Sequence, residues 1–457
     1  MDQQTQQNLT PARNVKIGFF HFGSGLADII ATGVWNRIMI SDLGFAAAPI
    51  GLLIALRYFL APLGIWAGRV SDQRSIFGYR RLFWVWSGRL MMVVSIIMLG
   101  LVTADLARGT PVDTLRWAAI TISLLLFSLG SAFSGGTFLA LVYDRSAPSQ
   151  RGRAVGIVWT FLLLGYAVGG PVFGIMLPSS TQESGLRFSP DSLQTLFIAA
   201  ALIMGALWLF SLLGEEKRSR EPVVVQTAAQ PATSLIGDLK LAWSSRPTRL
   251  FFWYLALSML FAFSQDLILE PFAGDVFGME AKTTTRFSGY WGSMAILGSL
   301  AVLYLSRRYK WMNNRRMNIV GVVVLVVAFA VFALSSLAGV RGLVTPGLIL
   351  LGIGLGVWEI GTLGMMMEMS PFGRAGTFLG FWTLVVTLAR GVGVSGGGIV
   401  RDLALSLSGS LSISYGAVFV IGAVGLAVSL MIMLRIRSDS PVELPADAPS
   451  VLAGALD

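Results

Sequence analysis

Two carboxylates, Asp266 and Glu270, close the apolar run "RLFFWYLALSMLFAFSQDLILEPF", and Pro271 follows at once. If the run is a helix, the i, i+4 spacing puts both acids on one face. Such a pair repels, so a proton or a cationic partner is expected with it. Asp28, Arg57, Arg89, Glu359 and Arg390 sit inside equally apolar runs. In hydrocarbon an ionised group costs at least about 2.5 kcal/mol, so each of these implies a partner or a polar lining. Asp28 with Arg57, and Glu359 with Arg390, read either as structural ion pairs or as the polar wall of a site for a substrate or partner. Asp266 and Glu270 allow three readings. Either Glu270 sits at the interface in water and Asp266 bonds a neighbouring helix, or the two are a proton-coupling pair, or they are a recognition element. In the last, Glu270-Pro271 ends the helix and "FAGDVFG" forms a presented loop.

These residues are exceptions in their chain. Of 457 residues 54% are apolar and 13% charged, with a mean hydropathy of +0.72. A soluble protein is about a quarter charged, so the surplus apolar surface is assigned to lipid. The absence of cysteine excludes disulfides, thiol catalysis and thiolate metal sites, and one histidine, His21, excludes a histidine cluster. The net charge of +10 lies in short loops between apolar segments, which reads as membrane topology and not as a nucleic-acid surface. The glycine runs "GIGLG" (352–356) and "GVGVSGGG" (391–398) lie inside apolar segments, so they are not read as phosphate loops. With no nucleotide motif, metal cluster or triad, an enzyme is not expected.

Twelve apolar windows, each long enough for a hydrocarbon core of about 30 Å, fall near 17–38, 46–67, 82–102, 117–142, 154–177, 193–213, 249–272, 286–306, 317–338, 344–367, 376–400 and 412–434. They predict an all-α membrane protein of twelve transmembrane helices. Its organisation is an N-terminal tail (1–16), a six-helix bundle (17–213), a linker (214–247), a second six-helix bundle (248–435) and a C-terminal tail (436–457). Within the linker, "SLIGDLKLAW" suits a helix lying on the membrane. The first span reads as uncleaved, because no small-residue cleavage site follows it. Arg69, Arg74, Arg80, Arg81, Arg145, Arg151, Arg153, Arg307, Arg308, Lys310, Arg315 and Arg316 share one side, so both termini and the linker are expected in the cytoplasm. Glycine pairs at 64/68, 165/169, 170/174 and 352/356 mark expected close helix crossings.

The halves echo each other. After span 4 comes "YDRSAPSQRGRAVGIVWT" and after span 10 "MEMSPFGRAGTFLGFWT", each with an acid (Asp144, Glu368), then Ser and Pro, Gly-Arg-Ala, and Trp-Thr. The basic loop "GRVSDQRSIFGYRR" after span 2 is matched in position by "SRRYKWMNNRRMN" after span 8. Both echoes support a duplicated six-helix unit.

That arrangement, with "GRVSDQRSIFGYRR", resembles the major facilitator superfamily. The loop keeps Gly68, Asp72, Gly78, Arg80 and Arg81 of the superfamily signature, with Gln73 where arginine is usual. The stretch "QDLILEPFAGDVFGM" (265–279) with "TTRFSGYWG" (284–292) is similar to the signature of its bacteriochlorophyll delivery family, the PucC/LhaA-type light-harvesting complex assembly proteins. "NRIMISDLG" (36–44) and "GTFLALVYDRSAPSQRGRAVGI" (136–157) agree, and the likeness runs from about residue 17 to 400.

The resemblance implies a six-plus-six pseudo-symmetric fold in the bacterial inner, photosynthetic membrane. It implies a role in assembling light-harvesting complexes, with bacteriochlorophyll as cargo or bound pigment, and antenna polypeptides or the reaction-centre complex as partners. Spans 1, 2, 7, 10 and 11 would line a central cavity, which makes Asp28, Arg57, Asp266, Glu270, Glu359 and Arg390 its candidate binding residues. Asp72, Arg80 and Arg81 would form a cytoplasmic gating network, or serve only as solvated determinants of topology. Arg89 on span 3 would snorkel to the cytoplasmic side. His21, flanked by Phe19, Phe20 and Phe22, becomes a candidate axial ligand for the pigment magnesium, against the plainer reading of an interfacial histidine. Two alternatives remain: a proton-coupled secondary transporter of a small amphipathic solute, and a scaffold that moves nothing.

Overall fold

A computed structural model describes residues 9–147, 150–177, 189–218, 243, 246–309, 311–369 and 375–436. These residues fold almost wholly into helices. The extended pairing among them is a single bridge, Ile76 to Tyr79, in the loop after span 2. Most of the linker and all of the C-terminal tail lie outside the described residues, as does most of "SLIGDLKLAW".

Among the described residues, eleven helices are long and apolar enough to cross a membrane. They cover every expected window but the seventh. Span 1 starts earlier than hydropathy suggested, at Pro11, because Thr10 caps it by accepting from the amide of Arg13 and proline is tolerated in a first turn. The tail reading of 1–16 is therefore corrected from Pro11 onward. Span 1 also changes pitch after Asp28, running through π-helical turns at Ile29–Val34 and Ile38–Asp42. Span 2 breaks between Phe59 and Pro62, where proline cannot donate the bond a continuous helix needs.

Span 7 departs furthest. It is a helix over Arg246–Ala262, a set of turns over 263–268, and a second helix over Leu269–Phe277. The expectation that Glu270-Pro271 ends a helix is reversed. Pro271 falls in the first turn of the second helix, where its missing N–H is not needed. "FAGDVFG" is helical up to Gly278, which ends it at φ 62°.

The packing repeats between halves. Span 1 packs on spans 5 and 6, span 2 on 4, and span 3 on 4 and 6. Span 7 correspondingly packs on 11 and 12, span 8 on 10, and span 9 on 10 and 12. The halves meet through spans 2 with 11 and 5 with 8, pairs that exchange under the same operation. The paired acids behave alike too. Asp144 binds Arg80 and Arg81 at 3.0 and 3.1 Å, and Glu368 accepts from Asn314 Nδ2 at 2.6 Å, so each ties the end of a fourth helix to the neighbouring loop region.

Glycine makes the close crossings possible. A Cβ at Gly165 would stand 2.5 Å from the carbonyl oxygen of Phe22, so spans 1 and 5 touch there through backbone. Gly68 is the exception among the expected pairs, with nothing within 4 Å.

Candidate functional site: a charged cavity at the break in span 7

The break in span 7 borders a cavity of about 50 Å³. Spans 1, 2, 5, 7, 8, 10 and 11 all contribute to its wall, and five of the expected site residues face it: Asp28, Arg57, Asp266, Glu270 and Arg390.

Arg57 Nη1 donates to Asp28 Oδ1 at 2.7 Å, and Tyr166 O–H donates to Asp28 Oδ2 at 2.7 Å. Arg57 also reaches the hydroxyl of Tyr58. The Asp28–Arg57 pairing read from sequence is therefore present. The Glu359–Arg390 pairing is not. Arg390 Nη2 donates to Asp266 Oδ2 at 2.8 Å, and Gln265 Nε2 donates to Asp266 Oδ1 at 2.7 Å. The unwound segment turns Asp266 toward span 11, whereas on span 10 it is Leu355 that lines the cavity. Glu359, one turn nearer the basic loops, is exposed and has no ion pair or hydrogen bond among the described residues, although the charge of Arg390 acts on it.

Aromatic faces hold both arginines. The guanidinium of Arg390 lies 3.8 Å from the ring centre of Phe263 and 5.2 Å from that of Tyr58, which joins it across the halves to the Arg57 pair. Such contacts favour a desolvated cation. Glu270 differs from the other two acids. It is 6% exposed, lines the cavity, and has no ion pair among the described residues. The expectation that it sits in interfacial water is overturned.

Toward the face away from the basic loops, the halves are latched. Asn36 Nδ2 donates to the carbonyl of Leu267 at 2.7 Å, and Arg37 Nη2 to that of Met279 at 2.9 Å. Arg37 Nη1 meets Asp42 at 2.8 Å. Asp402 on span 11 accepts from the amides of Ala47 and Ala48 at 3.1 and 2.7 Å, capping the start of span 2 in the other half. Arg401 beside it bonds Asp275, to which Tyr415 also donates. Asn36, Arg37 and Asp402 thus join the halves by hydrogen bonds at this face. Sequence reasoning named none of these as site residues, although Asn36, Arg37, Asp42 and Asp275 lie in the stretches that carried the resemblance.

On the basic-loop face, Arg81 binds Asp72 at 2.5 Å and Asp144 at 3.1 Å, and donates to Ser71 Oγ at 2.6 Å. Glu216 accepts from the amides of Arg80, Arg81 and Leu82, so it caps span 3. Asp72, Arg80 and Arg81 do form a network, and it clips spans 2, 3 and 4 and the segment after span 6 within one half.

His21 is 8% exposed and packs against Phe138 and Trp159, with ring centres 4.9 and 5.7 Å away. Its Nδ1 has no hydrogen-bond partner. Arg89 does not snorkel. It is buried, with its guanidinium 4.2 Å from the ring centre of Phe20 and 4.6 Å from that of Trp208.

Comparison with known proteins follows the same lines. The family model described as "PUCC protein" matches residues 34–440. "Protein PucC" of Rhodovulum sulfidophilum is 27% identical over 88% of this chain and 87% of its own length. "Bacteriochlorophyll synthase 44.5 kDa chain" of Rhodobacter capsulatus is 29% identical over 96% of this chain and 98% of its own. Among solved structures, a bacterial homologue of the human lysosomal transporter Spinster, inward-facing and unoccupied, is similar in fold. Its TM-score is 0.71 at 13% identity, covering 94% of this chain and 98% of that one.

Proposed function

The chain belongs to the PUCC protein family, and on that footing we propose that it is a multi-pass bacterial membrane protein that assembles photosynthetic light-harvesting complexes, docking antenna polypeptides and handling bacteriochlorophyll. The observation that carries this reading is the family match across residues 34–440, which takes in the broken span 7 and its latch. The names of its relatives, PucC and a bacteriochlorophyll synthase chain, supply the link to the photosynthetic apparatus. A role without catalysis fits the transporter-like fold.

The cavity constrains how pigment is handled. Ligand pockets for drug-sized molecules run to roughly 300–1,000 Å³, whereas this cavity measures about 50 Å³. A tetrapyrrole therefore docks against the membrane-facing helices or enters a more open conformation of the halves, and in this one the cavity is left to water-sized guests. His21 would become a magnesium ligand only in a state that parts it from Phe138 and Trp159.

Deleting the gene from a phototrophic host tests the role. Antenna absorption is expected to fall and to return with a plasmid-borne copy. Normal antenna levels in the deletion strain would remove the assembly reading. An absorption spectrum of the purified protein tests pigment handling. A chlorin band that shifts in His21→Ala supports ligation there, and one that does not shift assigns the pigment elsewhere.

A second reading, a proton-coupled transporter of a small amphipathic solute, is favoured by the unpaired Glu270 in a charged cavity. It requires solute uptake into liposomes under a pH gradient, abolished by Asp28→Asn or Asp266→Asn.

A further inference from the structure

The cavity at the break in span 7 contains one acid more than its bases answer. Arg57 is bound to Asp28, and Arg390 to Asp266. Arg37, the next cation toward the latched face, is bound to Asp42. Glu270 is the remainder, 6% exposed in the cavity wall and with no ion pair among the described residues.

We propose that Glu270 is a proton-binding site: its carboxyl is protonated in the latched conformation, and losing that proton unlatches the face away from the basic loops.

The charges around it leave no other neutraliser. Span 1 presents Asp28 and Arg37, span 2 Arg57, span 5 the phenol of Tyr166, span 7 Asp266, and span 11 Arg390. Glu359 on span 10 is a further acid that does not line the cavity. Farther along the same short helix, Asp275 is already held by Arg401 and Tyr415. Lys282 and Arg286 do not line the cavity, and the Arg286 side chain lies against Gly174 of span 5. The first turn of Leu269–Phe277 offers only the amide of Glu270 itself, a neutral donor, since the amides of Ile268 and Leu269 both bond Gln265 O and Pro271 has none. A buried carboxylate without a counter-charge takes a proton in preference to staying ionised. The guest is small because the cavity is. Among the described residues no group of three or more acids and histidines is placed to hold a metal ion.

The location couples the proton to the latch. Glu270 lies in sequence between the two backbone oxygens by which span 7 is held to the other half, Leu267 O and Met279 O. Ionised, it needs water, and water reaches it when these bonds part. Acid then favours the latched form and alkali the unlatched form, because a ligand shifts an equilibrium toward the state that binds it better. The inference does not depend on the assembly role.

The chain has no cysteine, so two introduced thiols report without background. Ala46→Cys and Glu280→Cys place spin labels on exposed residues of opposite halves at the latched face. In lipid nanodiscs, the full chain is expected to give a short label-to-label distance in acid and a longer one in alkali. Glu270→Gln should hold the short distance at every pH. Glu270→Asp, which keeps a titratable group if glutamine disturbs folding, should retain a transition with a moved midpoint. The proposal is overturned if folded protein shows no pH-dependent distance, or if the transition survives unchanged in Glu270→Gln. It is equally overturned if exchanging potassium for sodium at fixed pH drives the change, which would assign the site to a metal cation.

Discussion

Asn36 Nδ2 donates to the carbonyl oxygen of Leu267, 231 positions away and in the other half, at 2.7 Å. That oxygen lies in the turns that interrupt span 7, and even a continuous helix would have left it without its usual donor, because the residue four positions on is Pro271. In the apolar interior a carbonyl freed by a helix break must find a donor, and a side chain of the opposite bundle provides one. The break is thus held open by the contact it makes with the other half.

Asn36→Leu should strand this carbonyl. The expected cost is about 1–3 kcal/mol, visible as a lower melting temperature in detergent, together with greater access of thiol reagents to a cysteine at Ala46. Unchanged melting and access would mean that the latch does not depend on this bond.

Asp266→Asn should destabilise through its partner. It leaves Arg390 without a counter-charge in a partly buried site, a loss on the scale of 3–5 kcal/mol for a fully buried pair and less here, where both side chains keep some exposure. Adding Arg390→Gln should recover part of the loss. A double-mutant cycle on thermal unfolding reads the coupling, and strict additivity would argue against the pair. Glu359→Gln, by contrast, should leave melting almost unchanged.

Arg89 offers a test of opposite sign. It is buried with no ion pair among the described residues, so replacement by methionine, of similar length, is expected to be neutral or stabilising. Arg89→Lys gives up the planar stacking on Phe20 and Trp208 and should cost about 1–2 kcal/mol. If methionine proves the worse of the two, the cation has a role that its contacts do not reveal.

Two glycines of the same spacing motif should respond differently. Gly165→Ala forces spans 1 and 5 apart at the Phe22 carbonyl and should cost about 1–3 kcal/mol. Gly68→Ala meets nothing within 4 Å and should be neutral, or stabilising by about 0.5–1 kcal/mol through helix propensity. Matched melting curves of the two variants decide this.

The sequence by itself determined the spans, the duplication and most of the site. A membrane helix is announced by twenty consecutive residues that suit lipid, which is local information, and Asp28, Arg57, Asp266, Glu270 and Arg390 were conspicuous as charges lipid does not tolerate. The loop residues Asp72, Arg80 and Arg81 were legible through their motif. Tertiary structure alone decided the partner of Arg390. Arg390 turns to Asp266 and not to Glu359 because span 7 unwinds beside it. Hydropathy averaged over a whole window is blind to that unwinding, because the flanking residues are apolar, and the freed carbonyl of Leu267 is satisfied by Asn36 of the other half. The same blindness hid Asn36, Arg37 and Asp402, whose partners are main-chain atoms more than 200 positions away. A side chain's affinity for a backbone oxygen or amide is general, so no residue type in the sequence marks where such a bond will form until the two bundles are brought face to face.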